Sequence, residues 1–155
     1  MVVEDSFRTT ATSKDTAMRE KALKAILAVI SIYHLGLGAL AFVSKTLAAH
    51  LARDVFDMNL VFTDQLSYIV GLLSVYAIIF GVFAALAAFD PVKYSYVIYV
   101  GILLYLLRLV HRLLYADVVR NAFGVSNLNY WLEIALIIFF GASLYLLRPR
   151  RAAGH

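Results

Sequence analysis

Arg108, His111 and Arg112 stand inside an otherwise apolar stretch of this chain, YSYVIYVGILLYLLRLVHRLL. Steps of three and four residues put all three on one face of a helix, and Tyr115 continues that face. The next apolar stretch carries Asn129 and Glu133, again on one face. Charge inside an apolar segment is costly, so such groups mark either an ion-pair lock between helices or a place that receives a polar ligand. Arg108 lies about seven residues before the end of its stretch, roughly 10 Å at 1.5 Å per residue, and Glu133 lies about six residues into the next stretch from the same side. Equal depth on antiparallel neighbours predicts an Arg108–Glu133 pair, for which the guanidinium fork is well shaped. Lys45, His50, Asp64 and Gln65 approach the same end from the first two apolar stretches. The candidate polar cluster is therefore Lys45, Asp64, Arg108, His111, Arg112, Asn129 and Glu133. It reads either as a structural salt-bridge network or as a site for an anionic headgroup, a quinone ring or a small polar ligand.

His34 raises a second question, that of a haem or chlorophyll held by one axial imidazole, with Gly38 leaving space beside it. A bis-histidine haem with His111 is disfavoured, because the two side chains differ in depth by about seven residues, roughly 10 Å. No catalytic constellation is legible: no phosphate-binding glycine loop, no His-Glu-x-x-His, no carboxylates in acid–base geometry, no nucleophile motif. The chain has no cysteine, which removes thiolate metal sites and cysteine chemistry. We expect neither a metal nor a resident cofactor.

The elements that position these residues follow from composition. Of 155 residues, 63% are hydrophobic and only 15% charged, and the mean hydropathy is +0.81. Soluble domains carry ~25% charge. Four runs, about 25–44, 66–89, 94–114 and 128–147, each approach the ~20 residues that cross a bilayer core. Backbone amides in lipid must be satisfied within the segment, so the runs are helices. The predicted fold is all-α, an integral membrane four-helix bundle spanning 17–148. A polar tail, 1–16, is expected to be flexible or ordered by a partner, and a basic tail, 149–155, closes the chain.

Between the first two runs, Leu47, Leu51, Val55 and Met58 share one face while His50, Asp54 and Asp57 share the other. That amphipathic pattern predicts a short helix lying in the membrane interface. Asp90-Pro91-Val92-Lys93 predicts a tight turn. The segment 116–126 reads as a polar loop, with Ser126 as N-cap of the fourth helix. Lysine and arginine counting sets the orientation. Arg8, Lys14, Arg19, Lys21, Lys24, Lys93, Arg148, Arg150 and Arg151 lie on one side, and Lys45, Arg53 and Arg120 on the other. The first side is expected to be cytoplasmic, with both termini inside, most simply in a bacterial inner membrane. The net charge of +4 belongs to these flanks, so no nucleic-acid partner is expected.

Small residues line two stripes: Ser31, His34, Gly38, Ala41 and Lys45 on the first helix, and Ser67, Gly71, Ser74, Gly81, Ala85 and Ala88 on the second. Helices in lipid associate by close approach along such stripes. Tyr94, Tyr96 and Tyr145 at one boundary, and Tyr68, Tyr115, Tyr130 and Trp131 at the other, read as interface anchors.

Several of these positions together resemble the DoxX-like superfamily of small four-helix membrane proteins, its BphX-like group in particular. They are Tyr33-His34-Leu-Gly36-x-Gly38, Ser67-Tyr68-x-x-Gly71 with Tyr76 and Gly81, the Asp90-Pro91 turn, Leu107-Arg108-x-x-x-Arg112, and Glu133. The resemblance covers about 30–147 and implies the four-helix fold; the family has no established activity to lend. The function expected from the sequence is a non-catalytic accessory or structural subunit, held in the lipid bilayer and packed against other membrane subunits. The alternative is a small-ligand or quinone-binding membrane protein that uses the polar cluster.

Overall fold

The computed structural model describes residues 2–149, with side chains from residue 15 onward. Six helices follow one another: α1 (Val2–Val43), α2 (Lys45–Phe56), α3 (Asp64–Phe89), α4 (Ser95–Leu114), α5 (Ala116–Phe123) and α6 (Asn127–Leu147). Four of them are long and apolar enough to cross a membrane: Asp15–Val43 of α1, then α3, α4 and α6. The chain is an integral membrane four-helix bundle, and α2 is the short helix expected between the first two spans. The α3–α4 turn lies at the same end as Arg19 and Leu146 (the termini end). Helices α2 and α5 lie at the other (the loop end).

Two expectations change. The helical part does not begin near residue 17, because α1 runs unbroken from Val2. Once a long span has nucleated a helix, each further residue adds one hydrogen bond at little cost. The segment after α4 is not a loop either. It folds as α5, with Val119 buried and Gly124 closing it at a φ of 69°, a left-handed conformation that glycine adopts without strain. The basic C-terminal tail, beyond 149, lies outside the described residues.

Local signals explain the helix ends. Ser44 caps α2 by accepting from the Leu47 amide at 3.2 Å. Thr63 caps α3 by accepting from the Leu66 amide at 3.2 Å, and Ser126 caps α6 through Asn129. Each side-chain oxygen satisfies an amide that has no partner within its helix. At the α3–α4 turn the Asp90 carboxylate accepts from the Lys93 amide at 3.0 Å, which locks the turn that Pro91 begins.

The bundle is built from two close pairs, α1 with α3 and α4 with α6. The α1–α3 seam is the tighter. A Cβ placed on Gly38 would meet Ile78 Cγ1 at 2.8 Å and the Ser74 carbonyl at 2.9 Å. One placed on Gly81 would meet Leu35 Cγ at 2.7 Å and the Leu35 amide nitrogen at 2.9 Å. Only glycine permits this approach, and Ser31 ties the seam by donating to the Gly81 carbonyl at 2.8 Å. Toward the termini end the fully buried small residues are Ala84 and Ala87, one position from the Ala85 and Ala88 read from the stripe, which are half-buried.

The apolar interior has two parts. Leu23, Leu27, Ile30, Ala84, Ala87, Val97, Ile98, Tyr105, Ile137 and Leu144 fill the half toward the termini end. Val119, Val125, Tyr130 and Ile134 form a second cluster near the loop end.

Candidate functional site

Polar side chains gather where the two apolar clusters meet. The first component of this polar layer is an ion pair between Arg112 and Glu133, whose side chains are 12% and 14% exposed. Glu133 was expected to pair with Arg108 instead, and the correction has a geometric cause. Side chains lean toward the N-terminus of their own helix. Helix α4 climbs toward the loop end, so Arg112 leans down into the membrane. Helix α6 descends from it, so Glu133 leans up. The two meet, although their Cα atoms differ in depth. Arg108 leans deeper still.

Tyr130 completes this component. Its hydroxyl donates to the Arg112 carbonyl at 3.1 Å, and its ring lies under two guanidinium groups, Arg112 at 5.5 Å and Arg120 at 4.7 Å. Such cation–π contacts stabilise charge that water does not reach. Arg120 also donates to Asn127 Oδ1 at 3.3 Å. Tyr130, read above as an interface anchor, is 1% exposed and forms the middle of the loop-end cluster.

The second component surrounds His34. Its Nδ1 lies 2.8 Å from the Ile30 carbonyl, and a carbonyl only accepts, so Nδ1 carries the proton. The ring meets Tyr33, Phe80 and Tyr105 edge-on, with centroids at 5.1, 4.8 and 6.4 Å. The space that Gly38 was expected to leave for a flat cofactor is occupied by α3. Arg108 lies within electrostatic reach of His34, Tyr105 and Glu133. By helical position Arg108 belongs to the inward stripe of α4, with Val97, Gly101, Tyr105 and Arg112. It is nevertheless exposed. Among the described residues it has no hydrogen bond and no ion pair.

The remaining expected cluster members lie elsewhere. His111 is exposed and lies against the Tyr115 ring, tilted by 32° with centroids 4.7 Å apart. Lys45 donates to the Ala41 carbonyl and lies over Gly71 at the loop end of the α1–α3 seam. Asp64 is exposed in the first turn of α3, where negative charge complements the helix dipole.

Asn129 belongs to a third component, the loop-end clasp. Asp57 ends α2 at a φ of 55°, a conformation aspartate tolerates. Its carboxylate accepts from the Ser126 amide at 3.0 Å, and the Asn59 amide donates to the Phe123 carbonyl at 2.8 Å. Together these bonds tie the α2–α3 connection to the start of α6. Hydrogen bonds from Ser126, through its hydroxyl and its amide, and from the Asn129 side chain hold the Asp57 carboxyl below its ordinary value of 3.8. A lowered folded value means the clasp is fully present above the unfolded value and is lost as pH falls through the folded one. Hydrogen exchange at the Ser126 amide, corrected for its intrinsic rate, is expected to lose protection only below pH 3.8. In Asp57→Ala that protection is expected to be missing at neutral pH. Unchanged exchange in the variant would show that the clasp does not hold the amide.

Tyr33, Tyr105, Tyr130 and Asp57 were not singled out for this layer by the sequence. The alternation of Tyr105 with Arg108 and Arg112 on one stripe was the available signal for Tyr105. Nothing local marks the tie from Asp57 to Ser126. Compared with family models, with curated proteins and with solved structures, the chain matches none.

Proposed function

We propose that this protein is a non-catalytic membrane protein that binds a small, polar- or anionic-headed ligand in the loop-end half of its bundle, with Arg108 as the residue that meets it. One observation carries this reading: an arginine on the inward stripe of a spanning helix, exposed, with no hydrogen bond or ion pair among the described residues. It lies roughly 10 Å inside the end of α4. A guanidinium at that depth costs several kcal/mol unless something answers its charge. In this reading the loop end faces the exterior and both termini are cytoplasmic, following the lysine and arginine count. The membrane is a bacterial inner membrane, and the family is the DoxX-like one.

The test is extraction in polymer discs with native lipid, followed by mass spectrometry of bound small molecules, for the wild type and Arg108→Leu. One defined molecule, present with the wild type and depleted in the variant, is the expected result. Identical small-molecule content in the two would overturn the reading.

A second reading, an accessory subunit, is favoured by α1 itself. The helix continues from Asp15 back to Val2, roughly 20 Å beyond the start of the span at 1.5 Å per residue. Such an extension suits docking to other membrane subunits. Deleting residues 2–14 is then expected to release stoichiometric partner chains in a native pull-down. Retention of every partner would remove this reading.

A further inference from the structure

We propose that Tyr33, His34, Tyr105 and Arg108 form a site for the carboxyl end of a single-chain amphiphile, an inference that rests on the binding reading above and names its ligand class. The polar groups here have unspent hydrogen-bonding capacity. Nδ1 of His34 is committed to Ile30, which leaves Nε2 of the neutral ring as an acceptor. His34 is 8% exposed and Tyr105 3%, yet neither Nε2 nor the Tyr105 hydroxyl has a hydrogen-bond partner among the described residues. The fully enclosed unpartnered side-chain atoms belong instead to Arg112 and Arg120. Nε2 and the Tyr105 hydroxyl therefore border open space. The His34 and Tyr105 rings lie with centroids 6.4 Å apart, and Arg108 follows Tyr105 by three residues on the same face of α4.

Charge sets the valence of the ligand. Arg112 and Glu133 cancel each other, and Arg120 is held over Tyr130 and by Asn127, so Arg108 is the one positive charge beside Tyr105, which one monoanion balances. Depth sets its shape. The phosphate of a two-chain lipid stays at the interface with its chains running inward, whereas Arg108 lies roughly 10 Å below the end of α4. A terminal, compact head on one chain can be drawn to that level. Hydrogen bonding sets its chemistry. An ionised carboxyl accepts from the guanidinium fork and the tyrosine hydroxyls. The protonated form keeps a carbonyl for Arg108 and donates its O–H to Nε2 of His34. A head without oxygen acceptors leaves Arg108 unanswered, and an ester lacks both the charge and the O–H.

The experiment uses the full chain in lipid nanodiscs titrated with oleic acid labelled with ¹³C at the carboxyl, followed by NMR. Methyl oleate and dioleoylphosphatidylglycerol serve as competitors, and Arg108→Leu and Arg108→Lys as variants, each first checked for retained thermal unfolding. One acid per chain is expected, with a carboxyl resonance distinct from that in empty discs. Arg108→Leu is expected to weaken binding roughly tenfold or more, the scale of one charge-assisted hydrogen bond, and Arg108→Lys less. Neither competitor is expected to displace the acid. Equal displacement by methyl oleate would overturn the proposal in favour of tail binding, and equal displacement by the phospholipid in favour of a phosphate head. If the acid fails to bind but Arg108→Leu still loses another extracted molecule, the carboxyl assignment falls and the binding reading stands. If the acid fails and the extracted molecules are unchanged, both fall.

Discussion

Glu133→Leu is expected to destabilise the bundle by about 3–5 kcal/mol, and Arg112→Leu by less, although they remove the two halves of one ion pair. Breaking a buried pair leaves an uncompensated charge, and that is the origin of the ~3–5 kcal/mol scale. Both side chains are nearly enclosed, at 12% and 14% exposure, so solvent screens little of it. The asymmetry comes from the neighbour. Without Arg112, Glu133 still has Arg108 within electrostatic reach, and that side chain has no competing bond. Without Glu133, Arg108, Arg112 and Arg120 share the polar layer with no carboxylate paired to them. The double replacement Arg112→Leu with Glu133→Leu removes both charges and is expected to fall close to wild type, since apolar residues of similar volume often replace a buried pair at little cost. Unfolding midpoints in detergent for the two single variants and the double variant form the cycle that measures this. Additive losses would show that the two side chains do not act on each other.

Gly81→Ala is the second large effect expected, about 1–3 kcal/mol from overpacking, and Gly81→Val should exceed it. The added Cβ would fall 2.9 Å from the Leu35 amide nitrogen. That atom is backbone, so no rotamer change relieves the clash and α1 must move off α3. The movement also pulls Ser31 from the Gly81 carbonyl. Gly38→Ala should behave similarly, because it meets the Ser74 carbonyl and the Ile78 amide nitrogen. Two controls separate the seam from a general intolerance of substitution. Gly36 has nothing within 4 Å of an added Cβ, and Gly71 has only the end of Lys45 at 3.5 Å. Alanine at either is expected to be neutral or mildly stabilising, given the higher helix propensity of alanine. Equal losses at all four glycines would remove the seam as the explanation.

The spans, α2, the Asp90-Pro91 turn and the Ser126 cap were legible because each is written in local sequence: apolar run length, a two-faced pattern, a proline, an oxygen before a helix. The seam stripe was legible too, down to Ser74 and Gly81. The partner of Glu133 was not legible from depth alone. Residue counting locates Cα atoms, whereas an arginine acts through a guanidinium several ångströms away, in a direction set by the polarity of its helix. Tyr130 looked like an anchor because tyrosine near a boundary usually is one. Here α5 folds over it and turns it inward. Helix α5 was missed because its eight residues include Asp117, Arg120 and Asn121, and only Val119 is fully buried. The Asp57–Ser126 tie joins positions far apart in sequence, so no window contains it.

Along the membrane normal the interior is a laminate: an oily layer at the termini end, a thin charged sheet, then a second oily layer under α5. Leu109 is the side chain that touches both oily layers. A laminate parts where adhesion between its layers is least, and the layer beyond the sheet holds few buried side chains. Opening free energies within one protein range from near zero to the global value. Amides of the loop-end layer are therefore expected to exchange with solvent faster than those of the glycine-sealed pair of α1 and α3.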